Sequence, residues 1–149
     1  MWTREKSIFL SKLFVGLFMG LLVLFILGAS QIVSAFGLFS RADIASIKAY
    51  FVWTIYIGSI PAGILLVSMM RLMHNIERGE VFISLNVKLL RMISWSCFAG
   101  ALVAVGGMFY YFPWIFVVIS ASFMGLIVRI LKNAFEQAVV LKEEVDYTI

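Results

Sequence analysis

Residues 92–128 read MISWSCFAGALVAVGGMFYYFPWIFVVISASFMGLIV and hold no charged side chain. About 20 helical residues are enough to cross the roughly 30 Å of hydrocarbon in a bilayer. This run is therefore too long for one crossing and too short for two joined by a generous loop, which predicts a tight hairpin. Tyr110, Tyr111, Phe112, Pro113 and Trp114 supply its tip. The residue before a proline disfavours helix, and Tyr and Trp prefer the membrane interface. The third span is expected over 92–109 and the fourth over 114–131.

Two further charge-free runs lie upstream. Leu13 to Phe39 supplies a first span at about 13–37, long enough to tilt, and Ala49 to Met70 a second at 49–70. Tyr50, Trp53 and Tyr56 stand near the start of the second, where aromatic rings favour the headgroup region; Pro61 lies inside it and predicts a kink. Composition agrees, with 63% hydrophobic residues, 13% charged residues and 14 Phe in 149 residues. A soluble domain of this length buries only about two-thirds of its surface and has no room for so much apolar material. The expected fold is an all-α, polytopic membrane protein, a single domain over 1–149 with four transmembrane helices in an antiparallel bundle.

Arg4, Lys6, Lys12, Arg71, Arg78, Lys88, Arg91, Arg129, Lys132 and Lys142 would all fall on one side, leaving Arg41 and Lys48 on the other. The positive-inside rule places the first side, with both termini, in the cytoplasm. The net charge of +4 then meets anionic lipid, and no direct nucleic-acid binding is expected. The first apolar run is longer than the core of a cleaved signal peptide, so a retained signal anchor is expected. Cys97 has no intrachain partner and reads as a small packing residue.

The cytoplasmic loop, 71–91, is RLMHNIERGEVFISLNVKLLR. It reads as helix, turn, helix: the second span runs on through Leu72 and Ile76, Gly79 ends it, Phe82 anchors the turn and Ser84 caps the next helix. Asn86, Lys88 and Arg91 are expected on polar faces, with Val87, Leu89 and Leu90 against the membrane or a neighbouring helix. The tail, 132–149, continues as an amphipathic helix with Leu131, Ala134, Phe135, Ala138, Leu141 and Val145 in one stripe. Such a stripe packs on its own protein, on the membrane surface or on a partner helix.

The spans carry no ionisable group deep inside, where transport or catalysis would need one. Gln31, with Ser30 and Ser34, is the deepest polar group and is expected to tie two helices together. Small residues recur at four-residue spacing at Gly16 and Gly20, Gly58 and Ala62, Ser96, Gly100 and Ala104, and Ala121 and Gly125. These are expected to serve packing within the bundle first and a homo-oligomer second. His74 and Glu77 alone make a poor metal set, and no nucleophile, base or phosphate loop stands out. Neither an enzyme, a cofactor nor a metal is expected.

The opening WTREKSIFLSK, the loop NIERGEVFISLNVKLLRMISW, the hairpin FPWIFV and the ending VRILKNAFEQAVVLKEEVDYTI resemble a bacterial membrane family catalogued as domain of unknown function 2975. The resemblance rests on Gly79, Phe82, Asn86, Leu90 and Arg91, and on the ending at Asp146, Thr148 and Ile149; Val145 and Tyr147 depart from the Asn and Leu more usual there. It implies four spans in the cytoplasmic membrane and no established activity. It also implies association with small helix-turn-helix regulators of the Xre type. The leading expectation is a regulatory or sensory membrane protein that binds such a cytoplasmic regulator. Its expected contact residues are Asn75, Gly79, Phe82, Asn86, Arg91 and Phe135. The alternatives are a small transporter subunit or peptide-resistance (immunity) protein acting within the bilayer, and an assembly factor that orders lipid.

Overall fold

The computed structural model describes residues 3–148. They form five α-helices: α1 Arg4–Leu27, α2 Ala29–Phe39, α3 Ile44–Glu77, α4 Ser84–Met108 and α5 Ile115–Tyr147, with a 3-10 turn at Phe112–Trp114. The chain is all-α, and four of its helical stretches are long and apolar enough to cross a membrane. The first expected span is made of two helices. At Gly28 the backbone leaves helical geometry (φ −103°, ψ 13°), yet its N–H still donates to Leu24 O and its carbonyl still accepts from Ile32 N–H. Helical geometry is interrupted there while the hydrogen-bond ladder continues. α3 passes through Pro61, which is buried, as one helix.

The hairpin tip lies where the Pro-Trp signal predicts it. The tip packs Tyr110, Tyr111 and Trp114 against Val33, Ile44 and Phe51. Phe51 stands 5.1 Å, centroid to centroid, from both Tyr110 and Tyr111. The Tyr110 hydroxyl donates to Thr54 Oγ1 at 2.6 Å, and Thr54 donates on to Tyr50 O at 2.8 Å, so the tip is tied to α3 by a short relay. Gly107 makes this closure feasible, because a Cβ there would stand 2.8 Å from Trp114 Cδ1.

The helices contact one another in series. α1 and α2 lie on α3, α3 on α4, and α4 on α5; among the described residues α1 and α5 make no backbone approach to each other. The bundle is thus an open row in which α4 is the most buried helix. Within the α4–α5 seam Ser94 Oγ donates to Gly125 O at 2.9 Å, and Gly125 admits Phe98 and Cys97 at distances a side chain would close. Gly58 likewise faces Val103 in the α3–α4 seam.

Two expectations from the small and polar residues are corrected by this arrangement. Gly16 and Gly20 have nothing within 4 Å of where a Cβ would stand, so they do not pack the row. Gln31 is exposed and joins no helix pair; the buried residues of α1 and α2 are Val15, Ala29 and Val33, which lie on another face. The polar-core argument for transport through the bundle loses its main residue.

Candidate functional site

Selective polar chemistry gathers at the end of the row that carries the α3–α4 turn and both chain ends. α3 closes in a Schellman motif, with Glu80 N–H donating to Asn75 O (3.0 Å) and Gly79 N–H to Ile76 O (3.0 Å). Gly79 takes φ +82°, the left-handed position that this motif needs. The side chain of Asn75 donates from Nδ2 to Asn86 Oδ1 at 2.9 Å, and Asn86 Nδ2 in turn donates to the carbonyls of Glu80 (2.8 Å) and Val81 (2.7 Å). Asn86 is fully enclosed. Its expected place on a polar outer face is therefore corrected: its amide turns inward and pairs with two carbonyls of the turn. Ser84 does not cap α4 either. Ile83 occupies the cap position without a side-chain bond, and the Asn86 clasp holds the entry instead.

Beneath the turn, Leu72, Leu89, Leu90 and Ile93 form a core onto which Met69, Val128 and Phe135 close. Phe82 packs on Phe135 with ring centroids 5.4 Å apart and stays about half exposed, so these two expected contact residues meet and join the turn to α5. α1 reaches the same end. Lys12 Nζ lies 2.6 Å from Glu77 Oε2, and Arg4 donates to Ile76 O. Glu77 lies beyond the charge-free run of 49–70, and the Lys12 ammonium holds its carboxyl below the ordinary carboxylate range, with a smaller contribution from His74 at 3.8 Å.

The tail is the continuation of the fourth span in one unbroken helix to Tyr147. Its inward face takes Phe135 and Ala138 from the expected stripe and leaves the rest of that stripe outside. Gly125 and Val139 are buried and Lys132 and Phe135 partly so, whereas Leu131, Ala134, Leu141 and Val145 are exposed. Beyond Val139 no described side chain is buried. Asn133, Glu136, Gln137, Val140 and Leu141 form an exposed face of the helix there.

Arg91 lies apart from the clasp, in a cleft between α4 and α5 lined also by Ser94, Trp95, Arg129 and Lys132. The last two were not among the expected contact residues. Their spacing of three on a helix marks a shared face, but only the pairing of α4 with α5 brings that face to Arg91.

Among the described residues no three His, Cys, Asp or Glu side chains gather as a metal set. The family model described as "Protein of unknown function (DUF2975)" matches residues 39–149. The chain belongs to this family. The DUF2975 match spans α3 to α5, including the clasp, the hairpin and the tail, while α1, nearly all of α2 and the opening motif lie outside it. Of the terminal residues in the recognised motifs, Thr148 bonds back to Glu144 O, and Trp2 and Ile149 lie outside the described residues. No curated protein and no solved structure matches the chain.

Proposed function

We propose that this DUF2975 protein is a multi-pass protein of the cytoplasmic membrane that holds a soluble cytoplasmic partner against the far end of α5. The observation that carries this reading is the exposed continuation of that helix. From Leu131 to Tyr147 it advances roughly 24 Å at 1.5 Å per residue. Val140, Leu141 and Val145 are about half exposed or more along it, beside the polar side chains of Asn133, Glu136 and Gln137. An apolar strip with polar flanks on a helix that projects from a membrane suits a partner helix laid alongside. The lysine and arginine bias puts this end in the cytoplasm. A small helix-turn-helix regulator is the partner class that the family resemblance suggests.

Asn75, Gly79 and Asn86 act in this reading as scaffold, because their polar groups and backbone are used in the turn. Phe82 and Phe135 seat the base of the projecting helix. The test is a photoreactive residue at Leu141 in the full chain, crosslinked in native membranes and analysed by mass spectrometry. A soluble protein captured at Leu141, and lost in Val140→Glu with Val145→Glu, is the expected result. Adducts with lipid or with other copies of the chain alone would overturn it.

A further inference from the structure

The cleft between α4 and α5 has a chemistry of its own. Arg91 is the last charge before the long apolar run and Arg129 the first after it, so the hairpin sets both at the depth where hydrocarbon gives way to headgroups. Lys132 lines the same cleft of about 30 Å³, with Ser94 at its floor and Trp95 at its rim. That volume is close to the space one water or one phosphate oxygen fills. Trp95 is 60% exposed, as suits an indole at the interface. The Ser94 hydroxyl is spent on Gly125 O and keeps the two helices in register beneath the cations.

Positive-inside bias alone accounts for cations at this end of the row, yet not for three of them, from two helices, lining one cleft. Their counter-charges are also incomplete. Lys132, whose side chain is 12% exposed, has Glu136 at 3.3 Å, while Arg91 and Arg129 make no ion pair with any described residue and donate no hydrogen bond to one. The cleft thus holds an excess of two positive charges carried by planar guanidinium groups, a donor type suited to phosphate oxygens.

We propose that Arg91, Arg129 and Lys132 form a binding site for a phosphate group, that of an anionic phospholipid headgroup or a free phosphate, with Trp95 packed beside it. The site is separate from the α5 surface assigned to a protein partner and does not depend on it.

The test uses the purified full chain in detergent, titrated separately with phosphatidylglycerol, phosphatidylcholine and inorganic phosphate. Bound adducts are read by native mass spectrometry and by Trp fluorescence. Phosphatidylglycerol adducts are expected to exceed phosphatidylcholine adducts and to fall roughly 10- to 30-fold in Arg91→Gln with Arg129→Gln, the loss anticipated for two cations beside an anionic headgroup. Arg91→Lys with Arg129→Lys should recover part of the binding. Arg78→Gln with Lys142→Gln, which changes net charge equally, should leave it unaltered. Binding of inorganic phosphate with the same variant pattern and no lipid preference would assign the site to a soluble phosphate. Equal losses in the charge-matched control, or no preference for phosphatidylglycerol together with no phosphate binding, would overturn the proposal.

Discussion

Replacing Asn86 should open the α3–α4 turn selectively, by an amount that follows from its bonds. In Asn86→Ala three hydrogen bonds go: one accepted from Asn75 and two donated to Glu80 O and Val81 O. At about 0.5–1.5 kcal/mol net for each, the turn loses roughly 2–3 kcal/mol. Amide exchange in a locally opening segment scales with its opening constant, so the protected N–H groups of Gly79 and Glu80 should exchange roughly 30- to 150-fold faster, at tenfold per 1.4 kcal/mol. Asn75→Ala removes one of the three bonds and should accelerate the same amides about fivefold. Asn86→Asp keeps the acceptor for Asn75 but sets a carboxylate against two carbonyl oxygens, and should match or exceed the alanine effect. The assay is hydrogen exchange of the full chain in detergent, with amides near Ala101 and Ala104 as an internal reference. If Gly79 and Glu80 accelerate less than threefold in Asn86→Ala while the reference is unchanged, the clasp is not what holds the turn.

Gly107→Ala should destabilise the hairpin by about 1–3 kcal/mol, because the new methyl meets the Trp114 ring at 2.8 Å; a melting curve in detergent that matches the parent would refute this. Gly125→Leu should also lower the melting temperature, through Phe98 and Cys97. By contrast, Gly16→Leu with Gly20→Leu should leave it within about 0.5 kcal/mol, since no atom of the chain fills that space; equal losses at both sites would contradict the observed faces. The Lys12–Glu77 pair should fail in acid. A carboxyl whose folded pKa is depressed contributes its stability at neutral pH and loses it as pH falls from the ordinary value of 4.5 through the lowered one. Spin labels at Phe9 and Arg78 should then move apart in that range, and a separation that ignores pH there would exclude the pair as a tie between α1 and α3.

The spans were legible because charge is nearly absent from them and dense in 71–91, and the hairpin because proline and aromatic residues mark its tip. Gly79 was legible as a helix stop, since few other residues accept its φ. Asn86 was not. An asparagine among Lys88, Arg91 and Ser84 looks like surface, and its partners are an amide eleven positions earlier and two carbonyls, which carry no residue signature. Which part of the tail's stripe faces the bundle was not legible for a related reason. Hydrophobicity alone favours Leu131 and Leu141, but the phase of α5 is set upstream by Gly125 against α4, which turns Lys132, Phe135 and Val139 inward. Gln31 fails as a helix tie because periodicity gives a face but not which neighbour, if any, stands opposite it.

A closed ring of four helices has two routes between any pair of members; a simple row has one. In this chain the α3–α4 seam carries most of the contact between the N-terminal pair and the helix that projects at the far edge, and the hairpin tip, where Trp114 meets Val33 and Phe51, is the other link. A tilt or shift imposed on α1 by the surrounding lipid reaches α5 by way of that seam or of the tip, and the Asn75–Asn86 clasp lies across the mouth of the seam. Stiffness there sets how faithfully one edge of the molecule follows the other.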